Sequence, residues 1–285
     1  MKTTFLPTAT RHLLRASLLT ALLGASLPTL AQSGDKDQLV VPLSSPGKPG
    51  MLRVKLVNGS INVVGYSGKD VIIDAGSREG KRTATRPIPA NANGLRRIDN
   101  DSGVELTVDE NDNRINVKTD SYRHPVNLVI KVPQHFSLQI STVQDGNIVV
   151  ENVTGELEVG NVNGGIQLKD VSGSAVANTV NGPVTATFRS VTTSTPMAFS
   201  SVNGAIDVTF PSNTKAALKL KSDQGEIYSD FDLVTEKSAA KINRTNEGGT
   251  YRVNVDNWTY GKLNGGGSEV MMKTLNGNIY IRKAK

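Results

Sequence analysis

Few side chains in this sequence could carry a reaction. Its 285 residues include three histidines and no cysteine. His12 lies in an apolar leader, while His124 and His135 each sit near a proline and away from any Gly-x-Ser-x-Gly elbow. Both read as loop or strand-edge residues. A Ser-His-Asp set needs no adjacency in sequence, but nothing here singles one out. The lack of cysteine removes disulfides, thiolate metal sites, a cysteine nucleophile and a lipid on an N-terminal cysteine. No glycine cluster continues into Gly-Lys-Ser/Thr and a helix, so no phosphate loop is expected.

Metal and glycan chemistry have slightly more to work with. Nonapeptide β-rolls hold calcium through Gly-Gly-x-Gly-x-Asp turns. The nonapeptides of this chain carry a single glycine with Asn, Thr or Ser where the aspartates would stand, so those side chains are expected to bond turn backbone instead. The run Asp109-Glu110-Asn111-Asp112-Asn113 imitates the start of an EF-hand loop. Arg114 occupies the position that needs glycine, so an acidic hairpin tip is expected. Glycan cleavage requires paired carboxylates. Asp207, Glu226 and Asp230 are the outward acids of neighbouring repeats, although outward acids ordinarily only solubilise. Tyr251, Trp258 and Tyr260 form the one aromatic concentration, and it includes the single tryptophan. They read as a lid on an open end of the fold, or else as a ligand patch. The basic cluster Lys81, Arg82, Arg86, Arg96 and Arg97 reads as a solvated loop. If functional, it would meet anionic lipid headgroups, lipopolysaccharide or acidic polysaccharide. No metal site and no cofactor are expected.

The elements that would position these groups repeat. Gly146, Gly155, Gly164, Gly173 and Gly182 return every nine residues, each followed two and four positions on by an apolar side chain. Thr or Ser precedes one class of glycine and Asx the other. Two nine-residue halves therefore make one unit of about 18 residues, and the Asx class continues at Gly204, then more loosely at Gly225, Gly265 and Gly277. Stacked coils of 18 to 22 residues would align Ile148, Ile166, Val184, Ile206, Ile227 and Ile279 in one inward column. Leu157 and Ala175 would belong to the facing one. Period-two alternation sends Asn147, Val149, Gln167 and Thr185 outward. The glycines are expected at corners that need positive φ. An antiparallel meander is the rival reading, since Asn-Gly also marks hairpins. The strict alternation of turn classes favours parallel coils. No stretch beyond the leader shows helical periodicity, so the fold class is all-β: a single-stranded parallel β-solenoid.

Residues 1–31 combine Lys2, Arg11 and Arg15 with an apolar run and a small-residue end at Ala31, the pattern of a secretory signal. Its removal would leave 29 basic residues, three fewer than the 32 of the whole chain, against 26 acidic ones, a net charge of +3 rather than +6. That near balance gives no reason to propose nucleic acid as a partner. No later stretch approaches the roughly 20 apolar residues of a membrane helix. Residues 32–50 read as a polar linker or lead-in strand, and 51–285 as the repeat domain, with the basic insertion at 76–103.

The Val-Asn-Gly-x-Ile units at Val57–Ile61, Val162–Ile166 and Val202–Ile206, the strand Lys219-Leu220-Lys221-Ser222 leading to Gly225-Glu226-Ile227, and the ending Lys273–Ile281 resemble a family of bacterial exported β-strand-repeat proteins, labelled "putative adhesins" or domains of unknown function. The resemblance spans residues 50–285. It implies a right-handed, β-helix-like solenoid associated with the envelope and carries over no catalytic residues. The expected function is non-catalytic: an exported binding, adhesin-like or scaffolding module, periplasmic rather than secreted or on the cell surface, with a protein or glycan partner of the envelope. The alternative is a polysaccharide-acting β-helix hydrolase or lyase.

Overall fold

Period-two alternation governs the strands. Ile61–Tyr66, for example, buries Ile61, Val63 and Gly65 and leaves Asn62, Val64 and Tyr66 half-exposed. The structure is a computed structural model that describes residues 38–77, 106–119, 125–233, 235–237, 241–247, 250–256 and 258–285, with backbone alone for 77 and 236–256. The described residues fall in one compact unit and contain no helix.

The chain opens with β1 (Gln38–Val41), followed by the pair β2 (Gly50–Lys55) and β3 (Ile61–Tyr66). Next come β4 (Val71–Ser77) and β5 (Leu106–Asn111). A run of strand pairs follows: β6 (Arg114–Thr119) with β7 (Val126–Pro133), β8 (Phe136–Thr142) with β9 (Ile148–Glu151), and β10 (Thr154–Asn161) with the start of the long β11 (Ile166–Asn178). The end of β11 pairs off with β12 (Val184–Val191), then β13 (Met197–Asn203) with β14 (Ile206–Phe210), and β15 (Ala216–Ser222) with β16 (Ile227–Ser229). After β17 (Glu236–Lys237), β18 (Lys241–Glu247), β19 (Thr250–Asp256) and β20 (Thr259–Leu263), the last pair is β21 (Glu269–Asn276) and β22 (Ile279–Lys283).

Each pair is one rung, with its first strand in face A and its second in face B. Face A runs β6-β2-β8-β10-β11-β13-β21-β15, every neighbour parallel. Face B runs β7-β3-β9-β11-β12-β14-β22-β16, also all parallel. Because β11 passes through both faces, they join into one 20-stranded sheet, with β18–β19 a separate hairpin. The architecture is β-solenoid-like, and the repeat zone is parallel throughout rather than a meander.

The expected columns form. Ile148, Ile166, Val184, Ile206 and Ile279 are at most 1% exposed and stack in register, and Leu157 lies against Ala175 in the facing column. Three alanines, Ala175, Ala177 and Ala186, leave room in the middle of the core. Bulk is supplied by a buried aromatic group, with Phe188 stacked on Phe210 at 5.6 Å and edge-on to Phe199 at 6.2 Å.

Stacking order departs from chain order at both ends. The rung β21/β22 inserts between β13/β14 and β15/β16, so Ile279 sits between Ile206 and Ile227, and Ile227 on the terminal rung is only half-buried. Likewise β2/β3 inserts between β6/β7 and β8/β9. Among the described residues, antiparallel strands then cover three of the four outermost edges: β5 on β6, β4 on β7 with β1 beyond it, and β20 on β15 with β17 beyond it. These strands blunt edges that would otherwise template association.

The corner glycines meet the expectation of positive φ only in part. Gly146, Gly155, Gly182, Gly204 and Gly225 do not take positive φ, whereas Gly164, Gly173 and Gly277 do, at 155°, 113° and 159°. At the other corner the left-handed residues are Asn152 and Asp170. What the Asx-Gly glycines share is close approach. A Cβ on Gly146, Gly164, Gly182, Gly204, Gly277 or Gly225 would overlap the carbonyl oxygen of the stacked glycine on the adjacent rung. The residue three positions before most of these glycines bonds the same carbonyls. Asn161 Nδ2 donates to Gly146 O, Thr179 Oγ1 to Gly164 O, Ser201 Oγ to Gly182 O, Thr274 Oγ1 to Gly204 O and Ser222 Oγ to Gly277 O, all at 2.8–2.9 Å. Neutral side chains therefore hold the turns, as the missing aspartates implied.

Candidate binding surface

Face A presents an open polar strip built by the alternation that buries its other side. Arg53 lies between buried Leu52 and Val54, Gln139 between Leu138 and Ile140, and Glu158 between Leu157 and Val159. The register sets Arg53 against Gln139 and Gln139 against Glu158 on three successive rungs. Arg53 Nε donates to Gln139 Oε1 at 2.6 Å, and Gln139 Nε2 donates to Glu158 Oε2 at 2.9 Å. This ladder separates two shallow depressions. The larger, of about 530 Å³, is lined by Met51, Glu156, Ser174, Val176, Thr195 and Pro196. The smaller, of about 250 Å³, is lined by Lys55, Ser141, Gly160 and Asn178. Small residues on the floor let a ligand approach the sheet, and the ladder supplies a fixed row of donors and acceptors.

Further along face A the strip turns basic and aromatic. Lys219 Nζ lies 4.7 Å from the centre of the Trp258 ring and Lys221 Nζ 5.8 Å from it. Tyr260 on β20 is exposed and pairs in register with Lys219. The Trp258 ring therefore packs beside the two lysines, and in β20, which covers the outer edge of β15, Gly261 and Leu263 are buried. Tyr251 lies in β19, of which only the backbone is described. Lys81, Arg82, Arg86, Arg96 and Arg97 lie outside the described residues.

Two of the three outward acids named from the sequence have engaged carboxylates. Asp207 accepts a bidentate pair of bonds from Arg282, Nε at 2.8 Å and Nη2 at 2.9 Å, which pushes the guanidinium pKa up. Glu226 accepts the Tyr228 hydroxyl and raises the phenol pKa through that bond. Tyr280 stands between them in register and stacks on Tyr228 at 5.3 Å. Asp230 is exposed, and its amide donates to Ile281 O. Asp109–Asn113 makes a hairpin turn with Asp112 and Asn113 in the left-handed region, as expected. Glu110 there accepts from the amide and the hydroxyl of Ser44 at 3.0 and 2.8 Å, which lowers its pKa. Among the described residues no group of three His, Asp or Glu is placed to hold a metal ion.

Reading from sequence missed the Arg53–Gln139–Glu158 ladder. The 19 residues between Gln139 and Glu158 are one repeat and could have been found, but the 86 between Arg53 and Gln139 span the insertion and could not.

Fold and surface together define a β-solenoid-like repeat protein with an open polar face. Residues 144–258, less than half of the chain, match the sequence model of the Toastrack DUF4097 family. That match is a similarity of part of the repeat zone to a family of unknown function, in agreement with the resemblance that the Val-Asn-Gly units carry. No curated protein matches. Two solved structures do. One is described as "a putative cell adhesion protein" from Clostridium sporogenes, 14% identical, covering 87% of this chain and 98% of its own, with a TM-score of 0.41. The other is "a putative adhesin" from Bacteroides fragilis, 12% identical, covering 88% and 98%, with a TM-score of 0.34.

Proposed function

We propose that this protein is an exported, non-catalytic binding module of the cell envelope, adhesin-like or scaffolding, and periplasmic rather than released. The leader-like pattern of residues 1–31 supports export, and among the described residues no helix is long and apolar enough to cross a membrane. In this reading the strands wind as a right-handed solenoid of 18 to 22 residues per coil, and face A is the display surface. Its ligand is an extended, hydroxyl-rich chain, a glycan strand of the envelope, lying along the stacking axis.

The observation that carries this reading is the Arg53–Gln139–Glu158 ladder over a floor of Ser141, Gly160 and Ser174. Hydrogen-bonding groups spaced by the strand separation of about 4.8 Å suit a repeating polar chain. Side-chain carboxyl and amide groups already held by one another lose little freedom on binding. The test is a glycan array with matched pull-down from envelope extract. Gly160→Trp is expected to fill the smaller depression and cut glycan retention at least tenfold, with the melting temperature nearly unchanged because the position faces outward. Retention equal to wild type rejects face A as the ligand surface.

A further inference from the structure

The turn that carries each Asx-Gly pair also carries an apolar side chain that the core does not use. Val57, Val143, Val162, Val180, Val202 and Leu275 are 36% to 45% exposed. Each stands immediately before the Asn or Gln of its turn, and those turns are paired rung to rung: Asn58 with Gln144, Asn163 with Asn181, Asn181 with Asn203, and Asn203 with Asn276. The link between Val143 and the next rung is the bond from the Asn163 amide to Val143 O at 3.1 Å. The six side chains therefore form one unbroken apolar ridge across six rungs, about 24 Å long at the usual strand separation. Beside it runs an amide ladder: Asn181 Nδ2 donates to Asn163 Oδ1, Asn203 Nδ2 to Asn181 Oδ1 and Asn276 Nδ2 to Asn203 Oδ1, at 2.7–2.8 Å. On the terminal rung the equivalent position is Asp223, which is exposed and 3.6 Å from Lys221.

An apolar side chain left more than a third exposed at a solvent-facing corner forgoes part of its burial, so its recurrence as valine on five rungs and leucine on a sixth calls for a partner. We propose that this ridge is a homotypic interface through which two copies of the chain associate side by side, antiparallel, about a twofold axis. Three features favour a second copy. The ridge side chains are apolar and the column beside them is amide, with Asp145 the one charged residue in these six turns, so two ridges meet with little repulsion. Its repeat equals the strand separation, and a surface with the same repeat is another copy of this ladder. A twofold axis between Val162 and Val180 superposes the six positions on themselves and sets each side chain opposite an apolar one of the partner, Val162 against Val180, Val143 against Val202 and Val57 against Leu275. Asp223 ends the ridge, which favours a closed pair over an open filament.

Size sets the strength. Six side chains that are 36% to 45% exposed make an apolar strip on the order of the 300–600 Å² that is the largest patch of a typical monomer and is often functional. Two such ridges with their amide ladders alongside approach the roughly 1,000 Å² of a specific complex, which fits weak association.

Sedimentation velocity over a concentration series is expected to show a monomer–dimer equilibrium in the micromolar range. Val162→Glu with Val180→Glu is expected to give monomer at every concentration, with circular dichroism and melting unchanged because both positions face solvent. The absence of native cysteine allows a second readout: Val180→Cys should form a disulfide-linked dimer on mild oxidation, whereas Gln167→Cys on face B should not. A wild-type protein that stays monomeric throughout, or equal crosslinking at the two positions, overturns the proposal. So does protection of the Val180→Cys thiol by added envelope glycan while the protein remains monomeric, which would make the ridge a glycan surface.

Discussion

Gly204 has no side chain because the Gly182 carbonyl occupies the space a Cβ would take. Its φ is not positive, so the cost of Gly204→Ala is steric rather than conformational, and neighbouring backbone has to shift to admit the methyl group. A loss of about 1–3 kcal/mol is expected, read from the urea midpoint. Glu110 acts at the same scale. Bonds from the Ser44 amide and hydroxyl lower its pKa, and it also accepts from the Asn113 amide at 3.0 Å. A carboxylate whose pKa is depressed on folding contributes its stabilisation fully above the unfolded value of about 4.3, and loses it as pH falls through the lower folded value. The clasp between residues 44 and 110 is therefore closed at neutral pH and released in acid. The Ser44 amide resonance should titrate in that acid range, and Glu110→Gln should flatten the response.

At the scale of the element, each strand is a device for sending alternate side chains to opposite sides of a sheet. Ile166 is 1% exposed, flanked in its column by Ile148 and Val184, and Gln167 next to it faces solvent. Ile166→Ala leaves a cavity that close parallel pairing on both sides cannot collapse, so a loss of about 2–5 kcal/mol is expected in denaturant unfolding. Gln167→Ala should fall within about 0.5 kcal/mol of wild type. Equal effects at the two positions would mean that the assignment of faces is wrong. Much of this element-level logic was legible in the sequence. The apolar column, its facing partners Leu157 and Ala175, and the two turn classes all follow from nine-residue spacing. The reason for the glycines was not, because steric crowding between Gly182 and Gly204 exists only once their rungs are stacked.

For the whole molecule, the notable feature is that neither end of the solenoid is built by the chain segment nearest to it in sequence. Rung β21/β22 is clamped between β14 and β16 on face B and between β13 and β15 on face A. Stacking in chain order would make the last rung dispensable, since repeats contact only their neighbours. Here, deletion of residues 269–285 would leave two rungs facing each other across about 9.6 Å, twice the strand separation. The truncated protein is expected to lose its cooperative unfolding transition and to aggregate through the edges of β14 and β16. A monomeric truncated form with an intact transition would show that the inserted rung is not what holds the end together.

What the sequence determined by itself was local and periodic: which residues face inward, where the corners fall, and that neutral side chains hold the turns. A period of two along a strand and a fixed return of glycine are enough for that, because sheet geometry converts spacing directly into direction. What only the tertiary structure decided was which rung lies on which, and hence the Arg53–Gln139–Glu158 ladder and the exposed valine ridge. Every rung offers nearly the same edge, with the same Asx-Gly corner and the same apolar pair, so pairing chemistry accepts many stacking orders equally well. The choice among them falls to loop reach and to the strands that cover the ends.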